Sequence, residues 1–289
     1  MPPLVALVVV TAVWGLTFVQ VKDAVEIYPL FAFLALRFGI ATLTLAAPGA
    51  SRVRGLGRAG SMAAALAGAL LAGGYTLQTL GLERTSVSNA GFVTGMYVVL
   101  TPLLGLALFR FSVPRSAWIG VALATAGLAL LAGVHPGEPG GDLLVLAGAA
   151  VYSLQIVLME RYAPLYDPLG FTLVEMLAAC AVLSLAAAPT LEVPRGWTVW
   201  SALLVTGVFA SALAFLVQTW AQRRTSATRT ALVFTLEPVW AAVFGFWLAG
   251  DRLGVLGWAG CAVIMAGLVA AEPAAAGVLA RLVRRPRTA

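Results

Sequence analysis

The sequence predicts an all-α polytopic membrane protein, with ten transmembrane helices arranged as two inverted five-helix repeats and both termini cytoplasmic. Three observations predict it. Of 289 residues, 61% are hydrophobic and only 10% are charged. An average soluble domain carries roughly 25% charged residues, so a water-facing surface would lack the polar groups to cover it. The apolar residues fall into blocks of about 18 to 25, the length a helix needs to cross a bilayer. Finally, one polar phrase occurs twice, 140 residues apart: "QTLGLERTS" from Gln78 to Ser86 and "QTWAQRRTS" from Gln218 to Ser226.

The spans follow in order. The first block, "LVALVVVTAVWGLTFVQV", precedes the first basic residue, Lys22, and so reads as a retained helix rather than a cleavable signal peptide. Spans are expected near 4–21, 29–47, 61–82, 87–109, 115–132, 142–160, 168–188, 198–221, 227–249 and 253–271. Turn chemistry separates them: "APGASRVRGLGR", "GVHPGEPGGD", "APLYDP", "PTLEVPRG" and "LAGDRLG". This divides the chain into a first unit, 1–134, a second unit, 141–272, and a basic tail, 273–289, that meets anionic headgroups.

Orientation comes from the basic residues, because cytoplasmic loops retain an excess of Lys and Arg. With the N-terminus inside, 13 of the 18 basic residues are cytoplasmic and four (Lys22, Arg84, Arg195 and Arg252) lie opposite, leaving Arg37 within a span.

The repeated phrase belongs to a longer copy. At an offset of 140, Gln78 aligns with Gln218, Arg84–Ser86 with Arg224–Ser226, Trp118 with Trp258 and Gly120 with Gly260. Upstream, at 138, Trp14-Gly15 meets Tyr152-Ser153 and Arg37 meets Glu175. Five spans per copy is an odd number, so the copies enter the membrane from opposite sides. That is the inverted-repeat architecture of many secondary transporters, whose substrate sites lie mid-membrane between the halves. Within the phrase, Thr85, Ser86 or Ser88 is expected to cap the fourth helix, with Arg84 at headgroup level. Gln78 and Gln218 lie deeper and are expected to face protein groups.

Ordered along these spans are Trp14-Gly15, Lys22, Pro29, "LALR" ending in Arg37, the "RTS" turns, "TLEPVW" at Thr235–Trp240, and the closings "GVALATAG" and "GCAVIMAG". As a set they resemble the drug/metabolite transporter superfamily, in its EamA-type branch of two five-helix halves, and within it the YddG-type exporters of aromatic amino acids. The resemblance implies a carrier in a bacterial inner membrane that exports small amphipathic metabolites, amino acids and some organic cations among them. Carriers for sugars, nucleotide precursors or drugs belong to the same frame, and "LEPV" does not choose between them. The first copy has Val98-Val99 where Pro238-Val239 stands, with its own Pro102 a turn later, so strict symmetry at the centre is not expected.

Ionisable groups within a span cost roughly 2.5–3.5 kcal/mol each on insertion scales and usually face a cavity or a partner. Arg37, Glu175 and Glu237 qualify, either paired as structural pegs or touching substrate or a coupled proton. Of the three, Glu237 is favoured for the latter because Pro238 loosens its helix. Trp14, Thr17, Tyr75, Gln78, Tyr97, Tyr152, Gln155 and Gln218 supply rings and amides without net charge, a lining suited to an amphipathic ligand. The bland alternative is interhelical packing with interfacial tyrosines. Gly73-Gly74, Pro102 and Pro238 are candidate hinges. Spans 5 and 10, Gly/Ala-rich and uncharged at their middles, read as scaffold.

Other classes lack their signatures. There is one histidine, His135, and no HExxH, GxSxG or aspartate-rich diphosphate motif for an enzyme. No selectivity filter marks a channel, and no GxxxxGK[ST] marks a nucleotide-driven pump. Cys180 and Cys261 read as small packing residues, so no metal, cofactor or nucleic acid is expected. The expected partners are a small-molecule substrate and membrane lipid. A monomer suffices for transport, and a homodimer is compatible with it.

Overall fold

The structure is a computed structural model and describes residues 2–85, 87–132, 138–244, 246–247 and 254–271. Within these residues the regular structure is helical: α1 (Pro3–Val25), α2 (Leu30–Val53), α3 (Gly57–Leu82), α4 (Val87–Gly95), α5 (Tyr97–Phe109), α6 (Arg115–Ala132) and α7 (Pro139–Tyr162). The second half continues with α8 (Pro168–Ala187), α9 (Trp197–Gly207), α10 (Ala214–Gln222), α11 (Ala227–Phe234), α12 (Leu236–Phe244) and α13 (Val255–Ala271). A π-helical segment, Val208–Leu213, joins α9 to α10. Taken with α4–α5, α9–α10 and α11–α12 as single crossings, these make the ten spans of a polytopic membrane protein.

Local chemistry sets the helix starts on one face. Asp167 caps α8, its side chain accepting from the Leu169 and Gly170 N–H groups at 3.1 Å, with Pro168 at the first helical position. Ser226 caps α11 by accepting from Arg229 N. In the first copy of the phrase Thr85 bonds elsewhere: its hydroxyl donates to Asp142 Oδ1 at 2.6 Å, tying the end of α3 to the start of α7. Ser86 and the Ser88 side chain lie outside the described residues, as do His135 and the 273–289 tail.

The two phrases sit at opposite ends of α7. Arg84 and Thr85 meet Gly141 and Asp142 at its start. Glu160, at its end, accepts from Ala227 N beside Arg223–Ser226. Eighteen residues of helix at about 1.5 Å each put roughly 27 Å between them, close to a hydrocarbon thickness. The inversion inferred from odd span number is therefore present in the packing.

An internal two-fold relates the halves. Gly120 on α6 abuts the Gly267 carbonyl on α13, and Gly127 abuts the Gly260 carbonyl, although Gly120 and Gly260 are themselves repeat equivalents. The two scaffold helices thus pack antiparallel through small residues, as association in lipid favours. α2 and α8 pair in the same way: Gly49 lies against Leu173, and Gly39 against Cys180 Sγ. Gly68 of α3 lies against the Glu175 carbonyl, just as Gly207 of α9 lies against the Arg37 carbonyl. Arg37 and Glu175 are therefore structural counterparts.

Gly68 and Gly207 are 139 apart whereas Gln78 and Gln218 are 140 apart. The π segment between Gly207 and Gln218 accounts for the difference, because a π turn holds one residue more than an α turn. Two further departures from the expected spans concern hinges. α3 runs unbroken through Gly73-Gly74, and the Tyr152 ring of α7 fills the space a Gly74 side chain would need. Spans 4 and 9 are interrupted at Met96 and at Thr235, within one residue of repeat equivalence, although only the second has a proline nearby, at Pro238. The break is more symmetric than the prolines are, and Pro102 sits within continuous helix in α5.

Candidate functional site

Where the halves meet mid-bundle, half-buried side chains from five helices surround one space: Trp14, Tyr75, Gln78, Thr94, Tyr152 and Glu237. Half-burial at the middle of a packed bundle requires open volume beside these groups. Each wall is a product of the repeat. In one half, the Trp14 ring packs on Phe215 at 5.8 Å and on Phe234 at 5.0 Å. In the other, Tyr152 packs edge-on to Tyr75 at 5.5 Å. Tyr152 corresponds to Trp14 and Tyr75 to Phe215, so the same ring pair recurs with its polarity changed.

The second wall is the polar one. Gln78 Nε2 donates to Thr94 Oγ1 at 3.0 Å, and the Tyr152 hydroxyl donates to Gln78 Oε1 at 3.1 Å. This fixes the amide orientation and confirms that Gln78 faces protein groups. Tyr97 is buried, and its ring meets Phe234 edge-on at 6.5 Å. Thr101, one turn beyond Tyr97 on α5, is fully buried.

Arg37 supplies the positive charge, but not through an ion pair. Its Nε donates to Ser211 Oγ at 2.7 Å, while Nη2 donates to the Tyr75 hydroxyl at 3.3 Å and the Ala210 carbonyl at 3.4 Å. The guanidinium also lies 5.2 Å from the Tyr75 ring centroid. Ala210 and Ser211 belong to the π segment, and the Ala210 carbonyl accepts from both Arg37 and the Trp14 indole, which donates to it at 2.8 Å. Pairing of Arg37 with Glu175 or Glu237 was one of the readings of the sequence. Among the described residues the sole ion pair is instead Arg52–Asp167, at 3.6 Å on the surface.

Glu237 faces the same space. Its carboxylate is within electrostatic reach of Arg37 and of the Tyr75, Tyr97 and Tyr152 hydroxyls, without a hydrogen bond to any of them. The backbone that holds it is tightly seated: a side chain at Gly15 would collide with Trp240 Cβ and Ala241 N, at 2.6 and 2.8 Å. Ser153, the counterpart of Gly15, donates to the Tyr97 carbonyl at 3.4 Å, and Tyr97 is the counterpart of Glu237.

Three predicted site residues lie elsewhere. The Thr17 hydroxyl is buried and donates to its own helix at Trp14 O. Gln155 and Gln218, 2% and 1% exposed, are bonded to one another and closed off from the central space. Three residues that line the site were not singled out in the sequence: Ser211, Phe215 and Phe234. Two of them were detectable, since Phe215 and Phe234 are the repeat equivalents of Tyr75 and Thr94.

Two inverted five-helix units around a mid-membrane space of rings, amides and two unlike charges define a membrane transporter. The EamA-like transporter family model matches residues 1–133 and again 139–271, and the chain belongs to that family. It is 30% identical over 267 residues to an uncharacterized transporter of Archaeoglobus fulgidus, covering 91% of this chain and 83% of the relative. It is 28% identical over 273 residues to the Escherichia coli uncharacterized inner membrane transporter YedA, covering 91% and 88%. A crystal structure of another protein superposes with a TM-score of 0.81 over 95% of this chain and 98% of that one. At 20% identity this likeness speaks for the fold alone.

Proposed function

We propose that this transporter exports small zwitterionic metabolites, amino acids including aromatic ones, by alternating access at the space between the repeats. The observation that carries the reading is that Arg37, buried behind Tyr75, and Glu237 lie within electrostatic reach of one another without pairing. Charges of opposite sign held apart in a low-dielectric interior favour a ligand that bridges them, its carboxylate on Arg37 and its ammonium on Glu237. The Trp14, Phe215 and Phe234 rings then receive an aromatic or aliphatic side chain. Organic cations fit the Glu237 end and the ring faces. The narrower resemblance to YddG-type exporters points the same way.

The membrane placement follows the charges. The ends of α5, α7 and α10 and the starts of α6 and α11 converge at one face, where Arg110, Arg161, Arg223, Arg224 and Arg229 border two open pockets. By the positive-inside rule this face is cytoplasmic, in a bacterial inner membrane, with both termini on that side. The test is counterflow in proteoliposomes loaded with one unlabelled amino acid at a time. Saturable exchange of labelled phenylalanine or tryptophan is expected. Exchange of sugars or dicarboxylates with none of any amino acid would overturn the reading.

A further inference from the structure

A second polar site lies apart from the solute space. Glu175 on α8 is 0% exposed. Its Oε1 accepts from Gln155 Nε2 at 2.8 Å, and Gln155 Oε1 accepts from Gln218 Nε2 at 3.1 Å. Gln218 Nε2 also donates to Gln222 Oε1 at 2.9 Å, and Gln222 Nε2 donates to the Ile156 carbonyl at 2.9 Å. Donors therefore reach one carboxylate oxygen only. Glu175 Oε2 and Gln218 Oε1 are buried acceptors without a partner among the described residues.

Among the described residues no charge compensates the carboxylate. The elements packed against α8 include α2, the turn Arg54–Leu56 whose Arg54 is exposed, α3, α7, α10 and the π segment. From α2, Arg37 turns to Ser211 and Tyr75, and Arg52 turns to Asp167 at the surface. From α3, Arg58 is exposed and Tyr75 faces Arg37. From α7, Glu160 holds Ala227 N, Arg161 is exposed and Tyr152 donates to Gln78. α10 and the π segment carry no charged residue. Gln155 is the polar neighbour that acts on Glu175.

A buried carboxylate with one donor and no counter-charge is strongly unfavourable, and so are two orphaned acceptors in a place closed to water. We propose that Glu175, Gln155 and Gln218 form a binding site for a monovalent cation, a proton or a sodium ion, separate from the solute space. Either species neutralises the carboxylate, and oxygen donors of this kind suit a hard cation. In the first half the counterpart of Glu175 is Arg37, which brings its own positive charge; the second half takes one from solution. Gln222, at the end of the amide chain, borders the pocket of about 530 Å³ on the arginine-rich face. The site rests on the chain being a carrier and not on the identity of its solute.

The experiment uses the full chain in lipid nanodiscs without solute. Thermal unfolding is followed while sodium replaces choline at constant ionic strength, and separately as the buffer passes from mildly alkaline to mildly acidic. One of the two changes is expected to raise the midpoint by roughly 5 °C, as a saturating ligand does for a chain of this size. A sodium response identifies sodium as the occupant, and an acid response identifies a proton. In a Glu237→Gln background, where the other unpaired carboxylate is silent, the response is expected to persist, and adding Glu175→Gln is expected to abolish it, because the amide needs no counter-ion. An unresponsive Glu237→Gln chain, or a response retained in the double variant, would overturn the proposal. Should Glu175→Gln fail to fold, charge displacement on a sodium or proton jump is recorded in Glu237→Gln proteoliposomes. A current supports the site, and silence to both ions refutes it.

Discussion

The two charges of the solute space can be separated by crossing variants with analogues. Arg37→Gln and Glu237→Gln each remove one charge while keeping an amide of similar reach. Three competitors are needed: an aromatic amino acid, the amine left when its carboxylate is removed, and the acid left when its ammonium is removed. A hydrogen bond to a charged group contributes about 1.5–3 kcal/mol. At 1.4 kcal/mol per tenfold, this corresponds to roughly 10- to 150-fold in apparent affinity. In counterflow competition, Glu237→Gln is expected to weaken the amino acid and the amine by that factor and to leave the acid unchanged. Arg37→Gln is expected to weaken the amino acid and the acid and to spare the amine. Arg37 also bonds Ser211 and Tyr75, so Ser211→Ala serves as a control that disturbs its anchoring at 2.7 Å but keeps its charge. If both variants weakened the amine and the acid equally, the charges would not be reading opposite ends of one ligand.

Three further outcomes are expected. Gly127→Ala places a Cβ 2.7 Å from the Gly260 carbonyl and from Ile264 N, backbone that cannot step aside, and should destabilise by about 1–3 kcal/mol in thermal unfolding. Gly55→Ala, with nothing within 4 Å, should be close to neutral, and equal effects would refute the packing account. Gly74→Ala drives a Cβ to 2.6 Å from Tyr152 Cε1 and should break the Tyr152–Gln78 bond, raising KM for counterflow roughly fivefold. Gly73→Ala, whose Cβ finds its nearest neighbour at 3.6 Å, should not. In a chain without Cys180 and Cys261, an impermeant maleimide added to intact cells should label Arg84→Cys but not Arg224→Cys. Labelling of both from outside would contradict the inversion.

The fold was legible because the bilayer imposes a length on every span and the duplication wrote its unit twice. The offset between Gln78 and Gln218, with the odd number of spans it encloses, implies the opposed placement that Asp142 and Glu160 then show at the two ends of α7. Trp14, Tyr75, Gln78, Tyr97, Tyr152, Arg37 and Glu237 were legible as groups too polar or too large to face lipid without a reason. Two features were not. A π turn needs no signature residue, so the Val208–Leu213 segment, which carries the Ala210 carbonyl that Trp14 and Arg37 share, left only a one-residue slip in the repeat offset. An amide carries no mark of whether it faces a cavity or another amide. Gln78 and Gln218 are equivalent in sequence, yet one borders the solute space and the other lies sealed beneath it.

That divergence bears on how such a carrier moves. A two-fold scaffold can rock between equivalent inward and outward arrangements, because Gly120–Gly267 and Gly127–Gly260 are interchangeable contacts about the axis. The side chains at the seam are not interchangeable. Tyr97 stands opposite Glu237, Tyr75 opposite Phe215, and Arg37 opposite Glu175. A solute that sees a carboxylate from one half and a phenol from the other meets chemically different surroundings as the halves exchange exposure. Symmetry of backbone thus supplies two states of similar energy, and asymmetry of side chains supplies the differential affinity by which a ligand can bias one over the other. Replacing Glu237 by Tyr, its counterpart's residue, makes the seam more symmetric. In that variant, counterflow rates measured from the two sides of oriented proteoliposomes should converge. Unchanged directional preference would place the bias outside the seam, in the loops or in the Glu175 network.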